Sequence, residues 1–452
     1  MSSDATDQAI GERLAKYARF GVNLGLDRIQ NLLAALGYPH QQVPIVHVAG
    51  TNGKGSVCAY LSSVLTQAGY RVGRYTSPHL VSWCERICLN EQPIEPAALS
   101  RLLAQVEAAI ASLNVAEPET PTQFEVFTAA AWLFFAQQAV DVAVIEVGLG
   151  GRLDATNVVD APLATVITSL SREHWQRLGP TLADIAGEKA GILKSHCPAV
   201  VGPLPADAEA VVLARAAAVG CPVVRPLPAQ VDAEGWAIYQ DRSAQSTLQY
   251  RLSLAGGHQR INSAIAIAVL QTLRDQGWQI SDRQIQVGLA QARWPGRLQW
   301  LNWTDPKGQS YPWLIDGAHN PAAATVLRQY IDELQRSGEA AGPLLKPTAM
   351  PDSIPPSTTW LMGMLSTKDH ADVLRALLKP GDRLHLVPVP GHATISPADL
   401  RTIAISVCPR LDHCTTHETL AAGLQGAIAE DDCLRVLCGS LYLVGHFFQT
   451  QF

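Results

Sequence analysis

One stretch constrains this chain more than any other. It is Pro44 to Gly69, PIVHVAGTNGKGSVCAYLSSVLTQAG, where a short apolar run empties into a glycine-punctuated lysine loop and then a helical pattern. Ile45, Val46 and Val48 suit a buried strand, while Val57, Tyr60, Leu61, Val64, Leu65 and Ala68 recur at helical spacing until Gly69 stops them. Between the two runs lie Gly50, Thr51, Asn52, Gly53, Lys54, Gly55 and Ser56. Glycines there let backbone N–H groups turn inward around phosphate oxygens, Lys54 adds a point charge, and the helix N-terminus adds partial positive charge. The order strand, loop, helix predicts a triphosphate cradle. The G-x-x-x-x-G-K-[ST] pattern is not met strictly, because Val48 stands where its first glycine would be and Gly55 separates Lys54 from Ser56. A tight glycine turn joining strand to helix is the plainer reading of the same residues.

At 452 residues the chain exceeds what one hydrophobic core usually serves, so two domains are expected. Its net charge of -6 gives no general attraction for nucleic acid or an anionic membrane, so a bound anion must be held locally. The first residues, MSSDATDQAIGERLAKYARF, show no secretory or anchoring pattern, and no apolar run approaches a membrane span. Nine cysteines without a C-x-x-C pair fit reduced thiols and a cytoplasmic protein.

Along the chain, Lys16 to Leu36 reads as an amphipathic helical segment closed by Gly37 and Pro39. Arg71 to Tyr75 reads as a strand breaking into a loop at Thr76, Ser77 and Pro78. Glu95–Leu113 and Phe124–Val140 read as helices, and Asp141 to Gly148 as a strand too apolar to hold Glu146 without a partner or a metal. A strand from Leu163 to Leu170 leads to Ser171, Arg172, Glu173 and His174, followed by a helix from Leu182 to Leu193. Short strands near Val200 and Val223, an irregular stretch to Tyr250 and a helix from His258 to Gln276 follow. Trp294-Pro295-Gly296-Arg297 then interrupts all periodicity and marks the expected boundary between domains 1–296 and 297–452. The second domain alternates strands at 313–315, 359–364, 383–387 and 434–438 with helices at 321–336, 371–378, 397–405 and 416–430. Residues 337–359 read as a surface insertion. The fold class expected is α/β, a phosphate-loop domain on a mainly parallel sheet followed by a smaller Rossmann-like α/β domain.

Ser77, Glu146 and His174 each fall at or just beyond the end of a predicted strand, where open α/β sheets gather ligands. Hydroxyl, carboxylate and imidazole together can hold a divalent cation beside a triphosphate. Singly, each has an ordinary reading: Ser77 as a turn residue, Glu146 as a partner of Arg152, His174 as a partner of Glu173.

The ordered motifs GTNGKGS at 50–56, YTSPHL at 75–80, ERI at 85–87, TQFEVFT at 122–128 and VIEVGLGGRLDATN at 144–157 resemble the folylpolyglutamate synthase and dihydrofolate synthase family of the Mur ligase superfamily. LGPTLADIAGEKAGILK at 178–194, HQRINSAIA at 258–266, PGRLQ at 295–299, DGAHNP at 316–321 and GSLYLVG at 439–445 extend the resemblance over nearly the whole chain. The shortened phosphate loop is ordinary in that family.

The resemblance implies an ATP-dependent ligase. ATP phosphorylates a folate carboxylate, and the amine of L-glutamate displaces phosphate to form an amide. It implies Lys54, Lys189 and His174 as catalytic residues, with Thr51, Asn52, Gly53, Lys54, Gly55, Ser56, Asn262, Arg297, Asp316 and His319 on ATP. It implies Ser77, Glu146, His174 and a carboxylated Lys189 around two magnesium ions. Asp27, Arg28, Ile29, Gln30, Thr122, Gln123, Phe124, Glu125, Leu153, Asp154 and Ala155 would contact the folate. Without the resemblance Lys189 reads as a helix-surface lysine near Glu188, Phe124 as core, and Asp316 and His319 as turn and cap residues. The partners implied are ATP, L-glutamate and dihydropteroate or reduced folates, taken by a monomer that binds neither nucleic acid nor membrane. Two departures stand out. Where the family reads I-G-x-D-H, this chain has Leu170-Ser171-Arg172-Glu173-His174, and Ser366-Thr367-Lys368-Asp369 lacks the acidic residue usual before the lysine. Two other readings compete: a Mur-type ligase with a non-folate acceptor, against which TQFE and YTSPHL argue, and a nucleotide-binding switch without turnover.

Overall fold

The computed structural model describes residues 3–451 except 19, 20, 22, 116–118, 242–245, 338–348 and 352. Most of the insertion expected at 337–359 therefore lies outside the described residues. The chain divides into two compact units, one of residues 1–229, 239–249 and 261–292, the other of residues 230–238, 250–260 and 293–452.

The first unit is built on eight strands: β1 (Ile45–Ala49), β2 (Val72–Tyr75), β3 (Ile87–Leu89), β4 (Gln92–Pro93), β5 (Val142–Glu146), β6 (Ala164–Ile167), β7 (Ala199–Val201) and β8 (Val223–Val224). Their spatial order is β4-β3-β2-β5-β1-β6-β7-β8. Strands β2, β5, β1, β6, β7 and β8 run parallel, and β3 and β4 close one edge antiparallel. A parallel sheet is covered on both faces, which is why β1 and β5 are buried at every position and read as unbroken apolar runs. From β1 the chain moves outward past β5 to β2, returns through β5, then crosses to β6 on the other side. This reversal opens a crevice beyond the carboxyl end of β1, the place where such sheets take ligands. Helices Pro96–Leu113 and Gln123–Gln137 supply Leu99, Leu103, Val106, Phe127, Trp132 and Phe135 to the core on one side. Helices Leu182–Ala190 and Ala206–Ala218 supply Ala186, Ala190, Val212 and Ala216 on the other.

A separate three-stranded sheet holds β9 (Gln230–Val231), β10 (Ala237–Asp241) and β11 (Ser246–Tyr250). The second unit carries β12 (Gln299–Thr304), β13 (Ser310–Ile315), β14 (Ser357–Met362), β15 (Arg383–Leu386), β16 (His413–Thr416) and β17 (Cys433–Cys438), in the order β12-β13-β17-β14-β15-β16. All pairs are parallel except the β12–β13 hairpin. Trp360, Leu384, Leu386, Val436, Leu327, Ile331, Val373 and Leu374 form its core.

Several elements differ from expectation. The single segment expected from Lys16 to Leu36 is two helices, Ser3–Ala18 and Asp27–Ala35. Gly21 and Gly25, both at positive φ, lie between them. Helices Ala206–Ala218, Asp282–Gln291 and Leu441–Gln451 and the β12 strand stand in stretches whose mixed polarity hid their period. The helix expected at 416–430 is shorter, Leu420–Ile428, because Thr416 belongs to β16 and pairs with Leu386.

Candidate active site at the carboxyl edge of the first sheet

Gly50 to Gly53 turn the chain from β1 into the helix Lys54–Gln67. Gly50 has φ +148°, and a Cβ there would fall 1.9 Å from Thr168 Oγ1; Gly53 has φ +85°, and its Cβ would fall 2.6 Å from Asn262 Oδ1. Both positions exclude a side chain, so the backbone can wrap closely. The loop is stitched to the residues after β6. Thr51 N–H donates to Ser169 O at 2.7 Å, Thr168 Oγ1 donates to Asn52 O at 2.7 Å, and Ser169 Oγ donates to the same carbonyl at 2.9 Å. Ser171 N–H donates to Thr51 Oγ1 at 3.1 Å. The atypical Ser171–His174 segment is thus anchored on the phosphate-type loop through its first residue. His174 takes a left-handed conformation at φ 52° and caps a short helix, Trp175–Leu178.

Lys54 opens the first helical turn, its Nζ donating to Thr51 O at 3.1 Å and lying 3.8 Å from Glu146 Oε1. Glu146 ends β5 and is buried, and its Oε2 accepts the backbone N–H of Ser77 at 3.2 Å. The ordinary reading of Glu146 as a partner of Arg152 is corrected: Arg152 pairs with Glu188, 2.8 Å away. Lys189 is no surface residue either. It is buried, its Nζ donates to Gly50 O at 2.8 Å, and burial together with the Lys54 charge pulls its pKa from 10.5 down to about 7. Glu173 and Asp154 oppose that shift electrostatically, which places Glu173 within reach of the lysine's charge.

Lys54, Ser77, Glu146 and Lys189 therefore rim one sheet edge, together with Thr51 to Ser56, and His174 follows three residues after the anchored Ser171. Asn262 joins them from the long helix Gln259–Asp275 by approaching Gly53. Arg297, Asp316 and His319 cluster in the second unit. Asp316 is buried, which raises its pKa, and its carboxylate accepts the N–H groups of Leu298 and Ala318 at 2.9 and 2.8 Å. His319 Nδ1 lies 2.7 Å from Gly317 O.

Of the residues expected near the folate, Arg28 and Glu125 meet at 3.0 Å. Glu125 also completes a capping box with Thr122, accepting its N–H at 2.6 Å, so this carboxylate is occupied with fixing the helix start and Arg28. Gln123 follows Thr122 as the first residue of that helix. Phe124 lies against Gly148, where a Cβ would fall 2.4 Å from the ring, and 6.2 Å from the Tyr75 ring. The glycine leaves the aromatic face its room. Ile29 is fully buried and Ala155 nearly so, and both belong to the core behind this wall. Asp27 and Gln30 stand on the first turn of the second helix and are not buried, and Leu153 is half-buried in the loop after β5. Asp154 is spent internally, accepting from Leu149 N at 2.8 Å and from Thr156 Oγ1 at 2.6 Å. His47 Nε2, 2.8 Å from Thr156 Oγ1, continues that network into β1. Burial and Lys194 press the His47 pKa down to about 3, so the ring is neutral. Sequence reasoning missed His47, Thr156, Thr168 and Ser169. For Thr168 and Ser169 the available signal was a pair of small hydroxyls directly after β6; His47 and Thr156 carried none.

Comparison with known proteins shows the family. Residues 48–270 match the Mur ligase middle domain, and residues 299–450 match the dihydrofolate synthetase C-terminal domain. Folylpolyglutamate synthase of Lacticaseibacillus casei is 36% identical over 433 residues, 94% of this chain and 93% of the relative. The chain belongs to the folylpolyglutamate synthase and dihydrofolate synthase family. The dihydrofolate synthase/folylpolyglutamate synthase of Escherichia coli is 32% identical, over 95% of this chain and 92% of that protein. Among solved structures, Mycobacterium tuberculosis folylpolyglutamate synthase complexed with ADP superposes with a TM-score of 0.84 at 28% identity, covering 99% of both chains. E. coli FolC in complex with DHPP and ADP gives 0.78 at 29% identity, covering 98% of this chain and 97% of that one. Members of this family are Mur-type α/β enzymes, and this chain has that fold.

Proposed function

We propose that this protein is an ATP-dependent carboxylate-amine ligase that joins L-glutamate to dihydropteroate, to reduced folates, or to both. The observation that carries the reading is the convergence of Lys54, Glu146 and buried Lys189 on a glycine loop shaped for phosphate, in a chain that belongs to this family.

A carboxylate is a poor electrophile, and transfer of the γ-phosphoryl group gives its oxygen a leaving group. Negative charge spreads over the transferred group as the reaction proceeds, so fixed positive charge and N–H donors aimed there lower the barrier. Lys54 and the first turn of its helix supply both. Thr51 to Ser56, with Asn262 beside Gly53, hold the nucleotide, and the family resemblance assigns Arg297, Asp316 and His319 to ATP as well. Phe124 offers a ring face to the pterin, and Arg28, aligned by Glu125, offers a cation to its polar edge.

Mg2+ fits the donors present. Glu146, a buried carboxylate with one oxygen toward Lys54, and the Ser77 hydroxyl are the hard oxygen ligands this ion prefers, and the family resemblance adds His174. Bound there, two such ions would neutralise phosphate charge. Lys189 is suited to carboxylation. With a pKa of about 7, about three-quarters of the amine is neutral at pH 7.5, against about one part in a thousand for an ordinary lysine. Only the neutral amine attacks carbon dioxide, and the product carbamate presents two oxygens where the ammonium stood.

Among the described residues, no helix is long and apolar enough to cross a membrane. A monomer in the cytoplasm is the reading we adopt. The function is tested by offering dihydropteroate and tetrahydrofolate separately, each with ATP and glutamate, and reading the products by mass spectrometry. Glutamate addition to either is expected, and ATP hydrolysis without an adduct from both would overturn the assignment in favour of a switch or a different acceptor.

A further inference from the structure

The second unit holds a polar cluster that the ligase chemistry does not use. Strands β14, β15, β16 and β17 are parallel, so their carboxyl ends share one edge, and Asp316 to His319 and Ser440 follow strands at that edge. The cluster lies at the opposite edge. His413 is the first residue of β16, His385 the third of β15, and Glu430 sits in the turn that enters β17. Register pairs Arg383 with His413 and His385 with Thr415, so these four side chains share one face of the sheet.

His385, His413 and Glu430 each bring one ligand-type atom to within 4.8 Å of the other two. His385 is 2% exposed, Glu430 half-buried and His413 exposed. His385 Nε2 lies 2.9 Å from Glu430 Oε1, and its Nδ1 lies 2.8 Å from His417 Nε2, with the two rings stacked at 5.1 Å. Thr359 Oγ1 donates to Glu430 Oε2 at 2.7 Å, and Thr415 Oγ1 lies 2.6 Å from His413 Nε2, so the ligand side chains are themselves oriented. Room for two imidazoles comes from Gly426 on the covering helix. A Cβ there would stand 2.8 Å from His417 Cε1 and 3.0 Å from His385 Nδ1. Of the cations nearby, Arg383 reaches the Glu430 carboxylate only at 3.8 Å and is engaged by Asp412 at 2.9 Å, while Arg435 donates to the Glu430 backbone carbonyl at 2.6 Å.

We propose that His385, His413 and Glu430 form a binding site for a borderline divalent cation of the Zn2+ class, with water completing its shell. Two imidazoles and one carboxylate are a zinc donor set. Tetrahedral zinc with bonds of roughly 2.0–2.2 Å sets its ligand atoms about 3.4 Å apart. The His385–Glu430 pair is already near that spacing, and the exposed His413 ring has room to close the rest. With His385 ligating through Nε2, its Nδ1–H donates to His417, the outer hydrogen bond that fixes a ligand ring and raises its basicity. The ion would tie edge strand β16 and the turn before β17 to β15.

The test is titration of the chelator-stripped full chain with ZnCl2 in competition with a chromophoric chelator, repeated with Co2+ to read the d–d absorption of the bound ion. His413→Ala changes an exposed ring and Glu430→Gln keeps a hydrogen-bonding group, so both variants should fold, checked by circular dichroism. Wild type should bind one equivalent more than either variant. Affinity at that equivalent should fall by more than the roughly tenfold to hundredfold usual for loss of an outer partner, which is the loss expected for His417→Phe. Equal stoichiometry in all variants would place any zinc elsewhere and overturn the proposal. Absence of saturable binding up to millimolar zinc would reduce the cluster to a hydrogen-bonded network and overturn it equally.

Discussion

Lys189→Met replaces a buried ammonium by an uncharged chain of similar length, and its effect on stability should depend on pH in a calculable way. The folded-state pKa of about 7 lies below the ordinary 10.5. Between those values the unfolded chain binds the proton and the folded one does not. Wild-type stability therefore rises with pH through this window, and the penalty, zero above 10.5, becomes complete as pH falls through 7. At about 1.36 kcal/mol per pH unit, the penalty is roughly 4 to 5 kcal/mol at pH 6 and about 2 kcal/mol at pH 9. Methionine also forfeits the Nζ–Gly50 O bond, a loss of about 1 kcal/mol that does not change with pH. The variant should be more stable than wild type by roughly 3 to 4 kcal/mol at pH 6, with the gap shrinking by about 2 to 3 kcal/mol by pH 9. Urea unfolding followed by circular dichroism in buffer depleted of Mg2+ and carbon dioxide reads this directly, through the transition of the first unit. The same variant should have no ligase activity, because the position that stabilises the fold least is the one the chemistry needs. A gap independent of pH, or a wild type more stable than the variant at pH 6, would refute the buried-amine account.

Lys54→Ala should lower ligation about 10²- to 10³-fold with an unchanged circular dichroism spectrum, since it removes transition-state charge rather than packing. Lys189→Ala should be inactive and partly rescued by short carboxylic acids that supply the missing oxygens, while Lys189→Gln stays inactive; rescue is followed as ADP release with folate present. Gly148→Ala would drive a methyl into Phe124 and should raise the folate KM more than the ATP KM in steady-state assays. Gly288→Ala meets the Val64 backbone at 2.5 Å and should destabilise the first unit by roughly 1 to 3 kcal/mol in urea unfolding.

The sequence by itself determined the phosphate loop and its flanking strand and helix. A glycine-rich turn between a five-residue apolar run and a helical period is a local signal, readable without knowing what packs where. It also determined that Ser77, Glu146 and His174 fall at or beyond strand ends, and alternation of strands with helices was enough to imply a parallel sheet with one ligand edge. What it could not decide were matters of contact. Lys189 reads as a surface lysine because helical spacing beside Glu188 is silent about which face is covered; only the approach of Gly50 O and the surrounding burial turn it into a near-neutral amine. Arg152 chooses Glu188 over Glu146 for the same reason. Glu125 and Asp154 look free to bind a ligand in one dimension, yet the folded chain engages both internally. His385, His413 and Glu430 stand 28 and 17 residues apart in sequence, with no motif spacing to betray them. They meet because parallel pairing of β15 with β16 sets His385 on the same face as the first residue of β16, and the entry turn of β17 brings Glu430 to them. Local residue preference writes the elements, but long-range strand pairing decides which charges lose their water, and desolvation sets much of their chemistry.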